Sequence, residues 1–564
     1  MSHRAGMRAM IGVPIDGGRW RPKNGPTMPN TDQSSHVDTF ARDRLPPAAE
    51  RPELLFDLPE LQFPARLNCA AELLDRHVET GHGERLCIQG EGIRWSYAEA
   101  LAQANRIAHV LVDDLGLVPG NRVLLRGANS PLLAACWFAV VKAGGIAVGT
   151  MPLLRARELS TIVHKAEITH ALVDMRLMEE MERARPDCPT LVHLLGFHGG
   201  ELEALAAAKP AHFDNVDTAA DDICVMAFTS GTTGVPKGTL HFHRDLMAAC
   251  ACWPAHVLQA TPDDVFIGSP PLAFTFGLGG LLVFPLAIGA STVLVEKASP
   301  DLLPAAIAQY RASVVFTAPT SYRAMAAQVG LHDLSSMRKC VSAGEPLPGA
   351  TRQLWQDATG IRIIDGIGST ELFHIFMSAT EDQARAGATG FVVPGYRAAV
   401  LDDDGRELPP GQVGRLAIKG PTGCKYLADE RQRQYVQGGW NLTGDAYRVD
   451  DDGQFAYQAR TDDMIVSGGY NIAGPEVEDA LLSHPAVAEC GVVGMADEQR
   501  GQIVTAFVVL KPGEAADAGL AKALQDFVKQ TIAPYKYPRR VEFCERLPRT
   551  ETGKLQRFRL RAGP

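Results

Sequence analysis

Apolar positions in this 564-residue chain alternate between two periods. Stretches with one apolar face at helical spacing, such as ALAQANRIAHVLVDDLG (100–116), pass through the turn LVPGN into short β-rich runs such as RVLLRG. PLLAACWFAVVKAGG then predicts a helix closed by glycines and followed by the strand IAVGT. Further strands are predicted at THALVD, STVLVE, ASVVFTAP and MRKCVSAG. Strand and helix in this rhythm predict parallel sheets with helices on both faces.

After about residue 387 the pattern changes to short strands separated by turns, with DDG at Asp403 and Asp451, which predicts a small β-rich unit. Beyond RTDDMIVSGG (460–469) come a helix at GPEVEDALLSHP, strands at ECGVVG and TAFVVLK, and a helix at LAKALQDFVKQTI. The expected architecture is therefore α/β. Residues 1–40 form a flexible tail, and 41–461 a large domain of two parallel-rich α/β subdomains plus the small β-rich one. Residues 462–564 form a smaller, mobile α+β C-terminal domain. The charge-free stretch 265–295 is long enough to cross a bilayer, but Pro270, Pro271 and Pro285 and several glycines interrupt it. A buried helix followed by a core strand is expected there, and no membrane span.

Composition narrows the function classes. Hydrophobic residues at 46% and charged ones at 21% describe an ordinary globular protein. The excess of 65 acidic over 55 basic residues, a net charge of −10, argues against a nucleic-acid or membrane-surface partner. Eleven cysteines without a CxxC pair, and no apolar leader segment, predict reduced thiols and a cytoplasmic location.

The chemistry begins at TSGTTGVPKG (229–238), where an apolar strand runs into a loop of small residues. A Walker A loop is excluded, because Lys237 stands between Pro236 and Gly238. Glycines still let the backbone approach an anion, hydroxyls and amides donate to its oxygens, and Lys237 adds a point charge. A Gly-rich loop taken alone is more often a surface turn; this composition after a strand favours phosphate.

Four further segments follow in order: DGIGSTEL (365–372), NLTGD (441–445), ARTDDMIVSGGYNI (459–472) and PRTETGKLQR (548–557). Together the five resemble the motifs of the adenylate-forming superfamily, which comprises acyl-CoA synthetases, peptide-synthetase adenylation domains and beetle luciferases. The resemblance covers about residues 60 to 561. It implies ATP and CoA as substrates, Mg²⁺ as cofactor, and a small carboxylic acid as the group activated.

On this resemblance Thr229, Ser230, Gly231, Thr232, Thr233, Gly234 and Lys237 hold the β- and γ-phosphates. Gly344, Glu345 and Pro346 line the adenine slot with Asp365, Gly366, Ile367 and Ser369, while Asp445 and Arg460 take the ribose. Thr370 donates to the α-phosphate, Glu371 positions Mg²⁺, and Lys554 brings the acid's carboxylate to the α-phosphate. Many relatives carry Tyr where this chain has Ile367, so an aliphatic face replaces an aromatic one against adenine. Asp462 matches the hinge, and Gly468, Gly469 and Tyr470 the thiol tunnel. The acyl pocket falls to Ala227, Phe228, Phe274, Phe276, Gly277, His374 and Ile375, although each phenylalanine is equally a candidate core residue.

DGIGSTELFHIF and SGGYNIAGPEVE resemble the benzoate and 2-aminobenzoate CoA ligases, which share Ile367 and His374. The expected reaction is ATP-dependent ligation of such an aryl acid to CoA. Another small aryl or short-chain acid, or a carrier-protein phosphopantetheine as acceptor, stands as the alternative, and a homodimer is left open.

Overall fold

The computed structural model describes residues 34–229, 236–460, 463–467, 470–497, 500–532, 534–549 and 554–562. Two α/β sheets and one antiparallel sheet build the large domain. In the first, the order is His193–Phe197, His170–Asp174, Arg122–Arg126, Ile146–Thr150, Ile223–Thr229 and Lys237–Phe242. All neighbours are parallel except the last pair. The second sheet has nine strands, with a parallel centre running from Ile363–Gly368 through Lys339–Ala343, Val314–Thr317, Val265–Gly268 and Ser291–Val293 to Leu86–Gly90. Antiparallel strands close both edges. Leu86–Gly90 precedes every strand of the first sheet in sequence yet belongs to the second, a crossing that local patterning does not encode.

The helix Pro131–Lys142 shows why the two sheets form one body. Ser130 caps it by accepting from the Leu133 amide, Pro131 occupies its first turn, and every one of its residues is buried. A helix apolar on all sides must be covered on all sides. Its only charge, Lys142, reaches Asp75 at 2.6 Å.

Residues 265–295 depart from the expected helix-then-strand. They open with the strand Val265–Gly268, and the helical part is the short run Thr275–Leu278, Gly279–Val283 and Phe284–Ala287 before Ser291–Val293. Among the described residues no helix is long and apolar enough to cross a membrane. Residues 34–40, placed in the tail by sequence, are pinned down. The Ser35 hydroxyl and amide donate to Asp222 at 2.8 and 2.9 Å, and the Val37 and Asp38 amides donate to the Pro119 carbonyl, each at 2.9 Å.

Arg397–Leu401, Gly414–Lys419, Trp440–Val449, Val436–Gln437 and Phe455–Arg460 form the antiparallel five-stranded sheet. The C-terminal domain has its own sheet, with Tyr470–Ile472, Ile465–Ser467, Gly501–Leu510 and Val487–Asp497 in order and Arg540–Phe543 parallel to Gly501–Leu510. The helices Gly474–Leu482 and Ala518–Thr531 complete a separate core around Ile465, Val477, Leu481, Val504 and Leu524.

Candidate active site

The segment expected to hold phosphate is set by strand pairing. Thr229 lies opposite Lys237 across the antiparallel pair, so the two bracket residues 230–235. Ser230, Gly231, Thr232, Thr233 and Gly234 lie outside the described residues. Lys237 Nζ donates to the Tyr426 hydroxyl at 2.8 Å and stands 3.6 Å from Glu371 Oε1. The Tyr426 hydroxyl donates in turn to that same carboxylate oxygen. Burial, followed by the Glu371 charge, pushes the Tyr426 phenol far above its ordinary pKa, so it stays a donor. Behind it the buried Lys425 donates to Asp245 and to the Gly423 carbonyl, both at 2.9 Å, and fixes the segment that carries Tyr426. Sequence reading missed Tyr426, because one aromatic in GCKYL carries no pattern that separates it from core. Beside Glu371, the Ser369 hydroxyl accepts from the Leu372 amide at 3.2 Å and the Thr370 carbonyl from the Phe373 amide at 3.2 Å, which makes 369–373 a tight turn.

The residues expected at the nucleoside come from strand ends of two sheets. Asp445 and Arg460 face each other on adjacent antiparallel strands, with Arg460 Nη1 3.1 Å from Asp445 Oδ1 and 3.1 Å from the Thr443 carbonyl. Burial raises the Asp445 carboxyl, and Arg460 is the largest opposing influence. The Asp365 side chain is buried on the Ser342 hydroxyl, and desolvation pushes it up to about 6, so this carboxyl is already engaged within the sheet. A Cβ on Gly366 would come within 2.7 Å of Ile375, which ties those two strands closely together. Ile367 is half-buried and Pro346 exposed.

Among the residues expected to line the acyl pocket, His374 is enclosed by aromatic rings. Its ring centroid lies 4.5 Å from Phe284, 5.4 Å from Phe276, 5.6 Å from Trp253 and 6.5 Å from Phe316. Gly279 makes room for it, since a Cβ there would fall 2.5 Å from His374 Cδ2. Nε2 lies 3.3 Å from the Phe276 carbonyl, and Nδ1 is buried without a hydrogen-bond partner among the described residues. Desolvation takes the ring down to about 3, so it is neutral. A carbonyl only accepts; Nε2 therefore carries the proton and Nδ1 is a bare acceptor. Ala227 and Phe274 line one small apolar cavity with Trp137 and Leu272. Gly277 is buried beneath Pro271, whose carbonyl would lie 2.1 Å from a Cβ there, and Ile375 is buried in the same core as Ala227. Phe228 corrects the expectation. Successive strand residues point to opposite faces, so it packs with Met226, Leu240 and Phe242 in a different core from Ala227.

Lys554 brings the C-terminal domain to this cleft. Its Cε lies 3.7 Å from where a Cβ on Gly344 would sit, and Gly344 holds a φ of +89° suited to a residue without one. Water still reaches Lys554, yet protein packed round the ammonium lowers its pKa. Glu345, Asp445 and Glu371 oppose that shift, while Arg460 adds to it. One ammonium is thus within electrostatic reach of both Glu371 and Asp445. Asp462, Gly468 and Gly469 lie outside the described residues, and Tyr470 begins the strand Tyr470–Ile472. One further cluster, Cys69, Cys224 and His243, brings metal-ligand atoms within 4.8 Å of one another. The Cys69 amide already donates to His243 Nδ1 at 3.1 Å, which takes the ring nitrogen nearest the thiols.

The family description "AMP-binding enzyme" matches residues 74–426, and its C-terminal domain matches residues 476–554. The chain belongs to the AMP-binding enzymes. Among relatives of this AMP-binding enzyme, a benzoate–CoA ligase of Thauera aromatica is 36% identical over 89% of the chain and 97% of its own length. The crystal structure of the anthranilate CoA ligase AuaEII in complex with anthranoyl-AMP superposes with a TM-score of 0.86, at 34% identity over 90% of this chain and 98% of that one. A benzoate CoA ligase from Burkholderia xenovorans gives 0.81 at 32% identity, covering 88% of this chain and all of the other. This AMP-binding enzyme is of the adenylate-forming acyl-CoA ligase class.

Proposed function

We propose that the enzyme activates an aromatic carboxylate, 2-aminobenzoate or benzoate, with ATP. Pyrophosphate leaves, and the acyl group then passes from acyl-AMP to CoA with release of AMP. The first step joins two anions, the acid's carboxylate and the α-phosphate, and their repulsion must be screened in a water-poor site. Lys554 supplies the screening charge between the two ends of the cleft. Lys237 and the loop after Thr229 take the leaving phosphates. Thr370 donates to the α-phosphate. Asp445 accepts from the ribose hydroxyls while Arg460 holds its carboxylate, and the backbone at Gly344–Pro346 and Asp365–Ile367 brackets the base.

Glu371 has the chemistry a Mg²⁺ ion requires. It is a carboxylate whose Oε1 is committed to Tyr426 and Lys237 while Oε2 takes no hydrogen bond among the described residues. One carboxylate oxygen completed by phosphates and water is a common Mg²⁺ donor set. When bound, the ion supplies neutralisation of phosphate charge. For the second step Lys554 withdraws so that a thiol can reach the adenylate. We assign this movement to the C-terminal domain turning about Asp462, with Gly468, Gly469 and Tyr470 bordering the thiol's path.

The single observation that carries the choice of acid is the neutral His374 among four aromatic rings. Flat walls suit an aryl ring, and the bare Nδ1 suits an ortho-amino donor. The names of the similar ligases, benzoate and anthranilate, support the same reading. A panel of aryl and short aliphatic acids assayed with ATP, Mg²⁺ and CoA tests it. Aryl acids are expected to lead, and His374→Ala to shift the preference between 2-aminobenzoate and benzoate by about tenfold, the scale of one buried hydrogen bond. Faster turnover of aliphatic acids, or an unmoved preference in the variant, sinks the assignment.

A further inference from the structure

Lys554 is not the only cation that its segment brings to the domain boundary. Arg549 Nη2 lies 2.7 Å from Glu489 of its own domain, and Nη1 lies 3.4 Å from Glu345 of the large domain. Both acids sit on one guanidinium, whose planar fork allows it. Glu345 adjoins Gly344, the residue against which Lys554 stands. Arg549 and Leu555 pair as an antiparallel bridge, and the Gln556 amide donates to the Pro548 carbonyl at 2.9 Å. Lys554 is therefore one residue from a backbone ladder whose opposite rail is Arg549. Anchor and ammonium move together.

Two other contacts across this boundary are as long, but neither joins opposite charges: Arg323 reaches the Leu482 carbonyl, and the Ala350 amide reaches Asp479, both at 3.5 Å. Glu345 is largely shielded, at 13% side-chain exposure against 28% for Arg549. A shielded carboxylate without a counter-charge is costly.

We propose that Arg549 is a positioning residue for Lys554. Its ion pair with Glu345 latches the C-terminal domain where Lys554 reaches the acid and the α-phosphate, and the latch opens before the thiol step. This rests on the role given to Lys554 above. The asymmetry of the bridge makes it reversible. When the domain turns, Glu489 travels with Arg549 and keeps the guanidinium paired, so opening gives up only the longer contact. Glu345 is the group that loses its counter-charge, and this biases the domain back toward the latched arrangement once AMP has left.

The experiment separates the half-reactions in the full-length enzyme. Acid-dependent exchange of labelled pyrophosphate into ATP reads the first, and single-turnover CoA-dependent release of AMP from supplied acyl-adenylate reads the second. Arg549→Ala is expected to slow exchange by about 30-fold with an unchanged KM for ATP, and to leave the thiol step within about twofold. Glu345→Gln, which opens the latch from the other domain, is expected to slow exchange similarly, and the double variant to be no slower than the worse single one, as coupled residues require. Arg549→Lys, which keeps the charge on a shorter reach without the planar fork, is expected to fall between. Equal loss of both half-reactions in Glu345→Gln and Arg549→Lys would make the pair merely structural, and undiminished exchange in Arg549→Ala would leave no latch; either overturns the proposal. Wild-type enzyme showing no exchange with any acid would instead remove the functional reading beneath it.

Discussion

The two ends of the cleft are built by opposite means. At the end proposed to take the nucleotide, Lys237, Glu371, Asp445, Arg460 and Lys554 arrive from segments more than 300 residues apart, and each charge has an opposite charge or a hydroxyl within reach. At the end proposed to take the acid, one uncharged histidine sits in a wall of Trp253, Phe276, Phe284 and Phe316. The first arrangement is specified residue by residue, because a buried charge without its partner is expensive. The second is specified by shape, and many aromatic combinations would fill it. Chemistry held in place by charge is intolerant of substitution, whereas selectivity held by packing can drift.

The sharpest way to break this comparison is to remove the charge that serves both ends. Lys554→Ala is expected to slow acid-driven pyrophosphate exchange by about 10²–10³-fold, the scale for losing one group that meets charge developing in the transition state. The residual exchange is expected to keep the wild-type ranking of acids, because that ranking belongs to the aromatic wall. A reshuffled ranking would mean that the two ends are not separate.

A smaller effect isolates the nucleotide end. Tyr426→Phe deletes the hydroxyl that joins Lys237 to Glu371 and leaves the ring. The expected result is a rise of about tenfold in the KM for ATP, the worth of a hydrogen bond to charged groups, with the KM for the acid unmoved. A shift confined to the acid would place Tyr426 in the wrong half of the cleft.

The same contrast explains what the sequence could reveal. The helix Pro131–Lys142, the strand Ile223–Thr229 and the change to antiparallel strands after residue 387 follow from local periodicity and caps, and are found where expected. Lys237, Glu371, Asp445, Arg460 and Lys554 could be singled out because they stand in motifs that follow one another in a particular order. Tyr426 and Gly279 were not, for their importance lies in what stands opposite them in space. Phe228 was misassigned for the converse reason. An aromatic next to a motif looks like pocket wall until strand alternation shows which face it takes. The crossing of Leu86–Gly90 into the second sheet is likewise a long-range pairing that no window of sequence contains.

The smallest effect tests whether the acid end is neutral. His374 titrates near 3 in the folded chain against an ordinary value of 6.5, because burial disfavours the charged ring. Above 6.5 both folded and unfolded forms are neutral and the stability it confers is whole. As pH falls below 6.5 the unfolded chain takes up a proton that the folded chain refuses, so stability declines by about 1.4 kcal/mol per pH unit for each such group. His36 and His241, both lowered to about 4, act in the same direction. Asp365, raised to about 6, acts against them, since its folded form binds the proton first. The slope of the whole protein is thus a sum of opposed parts. The difference between the wild type and His374→Ala cancels the others. Denaturant midpoints converted to free energies between pH 6 and pH 5 are expected to fall less steeply in the variant, by close to one proton's worth, even if the variant is less stable at every pH. Parallel lines for the two proteins would mean that His374 takes up its proton as readily in the folded chain as in water, and that its Nδ1 is not the bare acceptor on which the choice of acid depends.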